Sequence, residues 1–443
     1  MILEELLTKI SDSQLLWVSP KSQTTAGELK RDIAACRQSL QGAEATRVAL
    51  ELSDSVRALT WMIALDGIAE VVFLVPDSLQ GAEAYNHLKQ RFQPSLTVNE
   101  SLEDKAREGS AEGSSTPKTN VATRWVLATS GTTGTPKLIE HSTDSLTKTC
   151  KADIDRGKEF VWGVVYDPFR FAGLQVVLQA LASGSTLVLC NHIGDISGQA
   201  AFLREKSANA LSATPTYWRK LLMSGALKGY SFRQITLGGE PADQSVLNAL
   251  KTAFPETRIA HIYASTEAGV GFSVTDGLEG FPEKYLESGV VGNELSIGTS
   301  GTLLIRPEKH TPSSSGGASL ANEDGFIDTG DLVEIRGERV LFLGRDSGAI
   351  NVGGNKVIPE EVESVIREVE GVGEVLVKPK GSGVMGQLVT ADIQPLSPAA
   401  DKAVLKKAIL AHCRQRLEKY KVPALIRFVV EIEHNPTGKI SRK

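Results

Sequence analysis

The sequence predicts an α/β fold divided into two domains, and three features of the chain support this. Between Trp125 and Lys206, short apolar runs alternate with amphipathic runs, as expected where parallel strands alternate with helices. A small, glycine-rich segment, SGAINVGGN, interrupts this pattern at 347–355. The pattern then restarts, and a chain of 443 residues is long enough for two or three cores. We therefore expect domains at 1–344 and 345–443.

The first part of the chain predicts a buried helix, a strand, a linker and a second strand. The apolar segment ALTWMIALDGIAEVVFLVP, at 58–76, supplies the helix and the first strand. Residues 99–120 are polar and rich in Ser and Gly, which favours a linker. After it, TRWVLATS, at 123–130, predicts a short strand that enters a glycine-rich turn. The alternating runs that follow are at 160–166, 173–181, 186–189 and 200–206.

The C-terminal part carries its own succession of elements. Pro359 suits the first position of a helix over 358–370, and the two glutamates that follow it favour the helix dipole. Strands are predicted for EVLVK and LVTADI, then a long helix from about 398 to 420 and a last strand, LIRFVVEI. These elements are enough for a small domain that folds alone.

The composition excludes several classes of function. The net charge of −5 gives no basic footprint for a nucleic acid, so we expect small molecules or proteins as partners. The four cysteines are scattered and the seven histidines form no pair at ligand spacing, which indicates neither a disulfide framework nor a zinc site. The oligomeric state is left open.

The sequence predicts no signal peptide and no membrane span. The N-terminus, MILEELLTKI, carries acidic residues where a signal peptide is basic. The most apolar stretch, at 61–76, is interrupted by Asp66 and Glu70. We therefore expect a cytoplasmic protein in a reducing compartment.

The strongest local motif is SGTTGTPK, which spans Ser130–Lys137 directly after a predicted strand. Its hydroxyls, glycine amides and lysine suit a cradle for a polyphosphate, because small residues let backbone N–H groups approach an anion. Only two residues separate Gly131 from Gly134, and Pro136 precedes the lysine, so the motif is not that of a P-loop NTPase. The structural alternative is a surface loop of turn-forming residues.

Four further motifs follow this one in the chain. They are YASTE at 263–267, TGD at 329–331, GRDSGAINVGGNKVIPEEVE at 344–363 and NPTGKISRK at 435–443. With these five motifs in this order, the chain from Trp125 to Lys443 resembles the acyl-adenylate-forming superfamily of acyl-CoA synthetases, peptide-synthetase adenylation domains and firefly luciferase.

The resemblance implies a fold and an activity. The fold is a large N-terminal domain of mixed sheets with flanking helices, followed by a small, mobile C-terminal α/β domain. The activity is that of an AMP-forming ligase, which uses ATP and Mg²⁺ to convert a carboxylic acid to acyl-AMP and transfers the acyl group to a thiol. The implied acceptor is coenzyme A, as in an acyl- or aryl-CoA ligase, or the phosphopantetheine of a carrier protein in natural-product biosynthesis.

Three residues suit a nucleotide and its metal ion. Tyr263 can offer an aromatic face to the purine, opposite the backbone of 239–241, or it is a core aromatic. Glu267 suits Mg²⁺, or it is a solvated surface residue. Asp331 can accept both ribose hydroxyls, or it only makes a turn. The expected ATP and AMP contacts are Ser130, Gly131, Thr132, Thr133, Gly134, Lys137, Gly239, Glu240, Pro241, Tyr263, Ala264, Ser265, Thr266, Asp331, Arg345 and Lys356.

The first half-reaction brings a carboxylate and a phosphate together, so the site must neutralise the charge that develops. By resemblance, Lys439 bridges these two groups and Arg345 steadies the ribose and phosphates. Lys356 falls where many members carry a second basic residue. The expected catalytic set is Lys439, Glu267 and Thr266.

The segment PFRFAGLQ, at 168–175, lies where acyl-CoA synthetases have the edge of the acyl pocket. There Arg170 replaces a histidine, and it either pairs with Asp167 or engages a polar group on an aromatic or keto acid. An α-amino acid is disfavoured, because the acidic residue that would bind its amine is wrongly spaced. The expected pocket residues are Arg170, Phe171, Gly173, Gly269, Val270 and Gly271, and the expected thiol tunnel is at Gly353 and Gly354.

The chain also departs from the family pattern. Ser347 stands where an Asp or Lys pivot for domain rotation is usual, and Asn351 replaces a common lysine. The phosphate loop also begins earlier than is usual, at Ser130. An alternative of another class, a non-catalytic nucleotide-binding relative, is disfavoured by the joint presence of Lys439, Glu267 and Asp331.

Overall fold

A computed structural model of the protein describes residues 3–108, 121–129, 136–307, 313–314, 319–382 and 385–433. Its strands are β1 (Leu15–Val18), β2 (Gln23–Thr25), β3 (Arg47–Leu50), β4 (Val71–Leu74), β5 (Leu96–Val98), β6 (Arg124–Ala128), β7 (Leu138–Ser142), β8 (Val161–Val164), β9 (Thr186–Leu189), β10 (Ala210–Ala213), β11 (Gln234–Gly238), β12 (Arg258–Ser265), β13 (Gly269–Val274), β14 (Phe281–Pro282), β15 (Asn293–Ile297), β16 (Thr302–Pro307), β17 (Ser313–Ser314), β18 (Ile327–Arg336), β19 (Arg339–Arg345), β20 (Ile350–Val352), β21 (Asn355–Val357), β22 (Val372–Ser382), β23 (Gly386–Pro395) and β24 (Leu425–Phe428). Its α-helices are α1 (Leu3–Leu7), α2 (Ala26–Ser39), α3 (Ser55–Leu65), α4 (Glu83–Phe92), α5 (Glu100–Glu108), α6 (Thr143–Thr147), α7 (Ile154–Gly157), α8 (Phe171–Ser183), α9 (Ile196–Glu205), α10 (Pro215–Ser224), α11 (Gln244–Ala253), α12 (Lys284–Ser288), α13 (Pro359–Arg367) and α14 (Lys402–Arg416).

The largest sheet has eight strands in the order β13-β12-β11-β10-β8-β9-β1-β2. Its six inner strands pair in parallel, and β13 and β2 add antiparallel edges. The runs predicted at 160–166 and 186–189 contain β8 and β9, and those at 173–181 and 200–206 fall in α8 and α9. The predicted alternation of strands and helices is therefore confirmed in this part of the chain.

Two more sheets complete the part before the glycine-rich segment. A six-stranded sheet in the order β17-β7-β6-β4-β3-β5 is parallel from β6 to β5, and β7 and β17 are antiparallel. A five-stranded sheet in the order β14-β19-β18-β16-β15 is antiparallel throughout. The expectation of mixed sheets with flanking helices is confirmed.

The predicted buried helix is α3, and every one of its residues except Arg57 is buried. It begins after Asp54, whose side chain accepts a hydrogen bond from the backbone N–H of Arg57 at 3.1 Å and so caps the helix. The strand predicted after it is β4, whose four residues are all buried. A helix that is apolar on all sides must be covered on all sides, so α3 belongs to the largest apolar core of the chain.

The linker prediction is wrong for residues 100–108, which form α5. On this polar helix, Ala106 is buried, and Glu103 is only 1% exposed. The Glu103 carboxylate accepts hydrogen bonds from Arg57 Nε at 2.5 Å and from Trp61 Nε1 at 2.6 Å. A paired, buried carboxylate therefore holds α5 against α3, and composition alone does not reveal such a pair. Residues 109–120 lie outside the described part of the chain.

The C-terminal part has a core of its own, which extends from Ile350 to Ile426 and includes buried residues of α13, α14 and the last sheet. That sheet has the order β21-β20-β23-β22, with β24 parallel to β23. Pro359 occupies the first turn of α13, as predicted. Both α14 and β24 are shorter than their predicted spans. The boundary between 344 and 345 remains a prediction.

The structure bears on two further features of the chain, its helices as possible membrane spans and its cysteines. Among the described residues, no helix is long and apolar enough to cross a membrane. Cys36, Cys150, Cys190 and Cys413 are all free thiols.

We predict that Glu103→Ala lowers the free energy of unfolding by about 1–3 kcal/mol, because the buried Trp61 Nε1 loses its acceptor and Arg57 keeps Asp32, at 2.8 Å, but loses its more buried partner. Urea denaturation followed by far-UV circular dichroism measures this. The matched control is Asp104→Ala, which removes an exposed carboxylate from the same helix and is expected to change stability by less than about 0.5 kcal/mol. Equal effects of the two substitutions would contradict the structural role of Glu103.

Candidate active site

Three of the sequence motifs converge on the carboxylate of Asp331. Its Oδ2 accepts a hydrogen bond from the Tyr263 hydroxyl at 2.5 Å, and its Oδ1 accepts one from Arg345 Nε at 2.9 Å. Asp331 and Arg345 are register partners on β18 and β19, and Tyr263 is on β12. Residues far apart in the sequence therefore meet where the antiparallel sheet approaches the edge of the largest sheet.

Asp331 lies within β18, at a point where the pairing of β18 with β16 is irregular. Gly330 has a φ of +69°, a conformation that favours glycine. The Thr329 hydroxyl accepts from the Asp331 backbone N–H at 3.1 Å and donates to the Leu303 carbonyl at 2.8 Å. The Thr-Gly-Asp sequence is thus an irregular stretch of β18 that is tied to the neighbouring strand β16.

The Tyr263 ring packs as a core aromatic does. It stacks on Phe342, with ring centroids 4.9 Å apart, and on Phe272, with centroids 5.3 Å apart. Burial and the adjacent Asp331 carboxylate raise the pKa of the Tyr263 hydroxyl well above its usual value, so this group stays a proton donor. Its structural role is clear from this packing, and its contact with a purine stays a prediction.

The segment Gly239–Pro241 follows β11, directly beside the end of β12. The Glu240 carboxylate accepts from the Thr216 backbone N–H at 3.1 Å and from its hydroxyl at 2.7 Å, at the start of α10. Gly239 has a φ of +80°. This loop lies at the carboxyl end of a parallel strand, the usual place for ligands in such sheets.

Thr266 and Glu267 lie in the turn between β12 and β13, and both are partly buried. The negative charge of Glu267 contributes to raising the pKa of Arg345, although the largest effect there is desolvation, which opposes it. Within the described residues, no group of three His, Cys, Asp or Glu side chains is arranged to hold a metal ion. A single carboxylate still fits Mg²⁺, which keeps several waters and takes further oxygens from phosphates.

Sequence reasoning missed His141, which lies between two elements of the site. The residue is on β7 and is 2% exposed, and its ring centroid is 5.6 Å from that of Phe171. Burial lowers the pKa of His141 to about 4, and the nearby backbone of Thr266 opposes this shift. The imidazole is therefore neutral at physiological pH. A histidine inside the otherwise strand-forming segment LIEHS was the only available signal.

Arg170 finds partners other than Asp167. Its Nη1 donates to the Ala128 carbonyl at 3.1 Å, and its Nη2 donates to the Ser78 hydroxyl at 3.0 Å. Asp167 instead accepts the backbone N–H groups of Phe169 and Asp77, both at 2.9 Å. Burial lowers the pKa of Arg170, and the charge of Asp167 raises it. The guanidinium thus ties the segment 167–170 to the last residue of β6, just before the predicted phosphate loop.

The predicted pocket glycines have different surroundings. A Cβ on Gly173 would lie 2.2 Å from the Asp167 carbonyl oxygen, so this glycine allows α8 to pack on its preceding loop. A Cβ on Gly271 would contact Tyr263 and Ile305. Gly269 has a φ of +73° and open space where a Cβ would point. Of these three, only Gly269 has the surroundings expected of an open pocket floor.

The remaining pocket residues border the same turn and helix. Phe171, 8% exposed, begins α8 and contacts His141. The carbonyl of Val270 accepts from Asn293 Nδ2 at 3.0 Å. Ala264 packs on the largest core, and the Ser265 hydroxyl accepts the Ala268 backbone N–H at 3.0 Å.

The predicted thiol-tunnel glycines form a hairpin turn between β20 and β21. Gly353 and Gly354 have φ values of +57° and +89°, which fit a two-residue hairpin loop. Asn351, one of the departures from the family pattern, accepts the Gly354 backbone N–H at 2.9 Å. Lys356 is exposed and pairs with Asp346. These contacts explain the turn, and the thiol tunnel stays a prediction.

Of the remaining expected site residues, Lys137 is described and is exposed. Lys439 and the phosphate-loop residues Ser130, Gly131, Thr132, Thr133 and Gly134 lie outside the described part of the chain.

Comparison with known proteins identifies the family. A model described as "AMP-binding enzyme" matches residues 33–306, and "AMP-binding enzyme C-terminal domain" matches residues 361–439. The first match covers more than half of the chain, and the expected superfamily is confirmed.

Two curated relatives differ greatly in length. The chain is 27% identical over 382 residues to surfactin synthase subunit 1 of Bacillus subtilis, covering 77% of this chain and 10% of that protein. It is 27% identical over 340 residues to 2-succinylbenzoate–CoA ligase of Bacillus pumilus, covering 72% of this chain and 68% of the relative. The chain thus spans a small part of the first relative and about two thirds of the second.

A crystal structure of the anthranilate CoA ligase AuaEII with anthranoyl-AMP matches over 99% of this chain and 95% of its own. The TM-score is 0.81 and the sequence identity is 17%. This likeness confirms the expected fold, with a large N-terminal and a smaller C-terminal domain.

We predict that burial of neutral His141 contributes stability that is lost as the pH falls from about 6.5 towards 4. The pKa of His141 is about 4 in the folded state and about 6.5 when unfolded, so between these values the unfolded chain binds more protons. The loss amounts to at most about 3 kcal/mol. Urea denaturation at pH 7, 5.5 and 4.5 measures it in the native protein and in His141→Gln.

The His141→Gln variant is expected to lose much less stability over this range than the native protein. The matched control is His87→Gln, because His87 is exposed and should leave the pH dependence unchanged. A native and a His141→Gln protein with the same pH dependence would refute the assignment.

Proposed function

We propose that this chain, which belongs to the AMP-binding enzyme family, activates a carboxylic acid with ATP as its acyl adenylate and then transfers the acyl group to a thiol. The observation that carries this proposal is the convergence of Tyr263, Asp331 and Arg345. Each oxygen of the Asp331 carboxylate has one protein donor and retains a lone pair. The carboxylate can therefore accept hydrogen bonds from the two hydroxyls of a ribose.

Arg345 can also bind the phosphates of the nucleotide. Its Nε is used by Asp331, and no described residue accepts a hydrogen bond from its Nη groups. These groups are available for the phosphates of the nucleotide, which a guanidinium binds in a fork. Glu267 would hold Mg²⁺, which supplies charge neutralisation at the phosphates.

The first half-reaction breaks the bond between the α- and β-phosphates. A carboxylate oxygen of the acid attacks the α-phosphorus, pyrophosphate leaves, and Lys439 neutralises the charge that the two anions bring together. In the second half-reaction a thiolate attacks the acyl carbonyl, and AMP leaves with the bonding electrons. We propose that residues 345–443 act as the domain that carries Lys439 to this site.

For the acid, we favour an aromatic or other carboxylic acid that lacks an α-amine. Two relatives are named for the CoA ligation of aromatic acids, 2-succinylbenzoate and anthranilate. The neighbourhood of Phe171 and the neutral His141 ring offers aromatic contacts on one side. Gly269, two residues after Glu267, has open space where a Cβ would point, which leaves room for the acid.

For the acceptor, we favour coenzyme A over a carrier protein. The match to 2-succinylbenzoate–CoA ligase covers 72% of this chain and 68% of that ligase. Loading of a carrier-protein phosphopantetheine is the second candidate, since surfactin synthase subunit 1 also matches. A screen of pyrophosphate release over a panel of acids, repeated with coenzyme A and with carrier proteins, separates these two candidates. Absence of pyrophosphate exchange with every acid would instead favour a non-catalytic nucleotide binder.

We predict that Lys439→Ala lowers the rate of acid-dependent ATP–pyrophosphate exchange by about 10²- to 10³-fold, because one well-placed charge is lost from the transition state. The matched control is Lys443→Ala, which removes a lysine from the same C-terminal motif and should exchange normally. Near-normal exchange in Lys439→Ala would refute its assigned role.

We predict that Arg170→Met lowers kcat/KM by about tenfold or more for every accepted acid. Both Nη groups of Arg170 already bind the protein, so the residue positions the pocket segment against β6, and displacing such a segment impairs all substrates alike. Kinetics with an aromatic, a keto and a long-chain acid test this. The exposed Arg156→Met is the control. A loss confined to the polar acids would instead mean that Arg170 contacts the substrate.

A further inference from the structure

The edge strand β13 carries a bulge next to the predicted floor of the acid pocket. Its pairing with β12 changes register between Tyr263 and Ala264, so that β13 has one residue more than β12 at this point, Gly271. Such a bulge bends its strand and changes the direction of the neighbouring side chains. The positions of Gly269 and Val270, which we expect to line the pocket, therefore depend on what holds the bulge in place.

The side-chain amide of Asn293 binds this bulge. Its Nδ2 donates hydrogen bonds to the Gly271 carbonyl at 2.7 Å and to the Val270 carbonyl at 3.0 Å. An amide nitrogen carries two N–H groups, so each carbonyl can receive one of them. Asn293 is only 5% exposed. Two buried carbonyls would lose a hydrogen-bond donor without this amide, and an apolar side chain of the same size could not replace it.

Asn293 reaches the bulge from a different sheet. It is the first residue of β15, an edge strand of the five-stranded sheet, whereas β13 is an edge strand of the eight-stranded sheet. Lys148 ends α6, which follows β7 of the six-stranded sheet. Its Nζ donates to Asn293 Oδ1 at 3.3 Å and to the Gly292 carbonyl at 3.2 Å. The amide of Asn293 therefore connects parts of the chain from all three sheets beside the pocket floor.

The turn before Asn293 is strained. Val290 and Asn293 exchange two backbone hydrogen bonds, both of 2.9 Å, across Val291 and Gly292. These two residues have φ values of +53° and +68°, as in a type I′ turn, where Asn-Gly is the usual sequence. A β-branched residue rarely adopts a positive φ. Such strain persists only where the surroundings enforce it, and it is concentrated at ligand sites. The contacts of Asn293 and Lys148 supply this restraint.

We propose that Asn293 is a positioning residue that determines which acids the pocket accepts, because it holds the bulge of β13. The inference rests on the proposed function, which assigns the acid to the space beside Gly269 and Val270. The amide itself is used by the protein. Asn293 therefore acts on the acid through the position of the pocket floor and not by direct contact.

A fixed floor selects acids by their size. One methylene more or less changes the preference of an apolar pocket by about 10- to 200-fold, and a floor that yields lowers this ratio. The bulge is packed at Gly271, where a Cβ would lie 3.0 Å from Tyr263 and 3.2 Å from Ile305. The space beside Gly269 is open. Loss of the two hydrogen bonds would therefore let the floor at Gly269 move and admit longer acids.

The first test compares two substitutions of similar size. Asn293→Asp removes both donors and keeps an acceptor for Lys148, whereas Asn293→Leu removes all three hydrogen bonds. We expect both to lower the ratio of kcat/KM between the best acid of the pyrophosphate-release panel and its homologue with one more carbon, by about fivefold or more. The KM for ATP should change by less than about twofold, because neither substitution touches Asp331 or Arg345.

The matched control is Asn248→Asp, which introduces the same charge at an exposed position of α11. It should leave the ratio between the two acids unchanged. An effect of Asn293→Leu alone would mean that the contact with Lys148 matters and the bulge does not. An equal fall in kcat/KM for both acids would mean that Asn293 only stabilises the fold. Either result would overturn the proposal.

The second test needs no substrate. Hydrogen–deuterium exchange followed by mass spectrometry is expected to show about fivefold or more faster exchange in residues 264–274 of Asn293→Asp than in the native protein. Residues 244–253, in α11, should exchange alike in both. Unchanged exchange at 264–274 would refute the restraint of the bulge. If this exchange rises but the native protein releases no pyrophosphate with any acid, the proposed function fails and the role in acid selection fails with it, while the restraint is confirmed.

Discussion

The carboxylate of Asp331 is the point on which the candidate site depends. One oxygen is bound by the Arg345 guanidinium and the other by the Tyr263 hydroxyl, so each of three strands contributes one member of the contact. The phenol is held by packing, since Tyr263 stacks on Phe272 and Phe342. A charge that is partly removed from water is stable only when it is paired and hydrogen-bonded. The Asp331 carboxylate, the Arg345 guanidinium and the Tyr263 hydroxyl therefore hold one another in place. A ribose would bind to groups that are already in position.

Local rules predicted much of the fold. Pro359 and the glutamates after it predicted where α13 begins, and apolar runs predicted β8, β9 and the buried α3. The same rules failed for α5, because its buried carboxylate, Glu103, is bound by side chains of another helix. Such a pairing is tertiary, and composition reports only that the segment is polar.

The contacts of the candidate site were likewise predicted from the sequence only in part. Sequence motifs named Tyr263, Asp331 and Arg345 as nucleotide contacts; the structure brings these three side chains together, and their contact with a nucleotide stays a prediction. The motifs could not indicate that Arg170 would bind the Ala128 carbonyl rather than Asp167, since that contact depends on how a loop crosses β6.

The contrast between two glycines has a consequence for anyone who wishes to redesign the range of acids. At Gly173, a methyl group would lie 2.2 Å from the Asp167 carbonyl oxygen, so a larger residue there would distort the loop that Arg170 anchors. At Gly269 the neighbouring space is open, and its left-handed backbone is tolerated best by Asn or Asp among the other residues. Mutant libraries aimed at new substrates are therefore best centred on Gly269 and its neighbour Val270, with the first turn of α8 left intact.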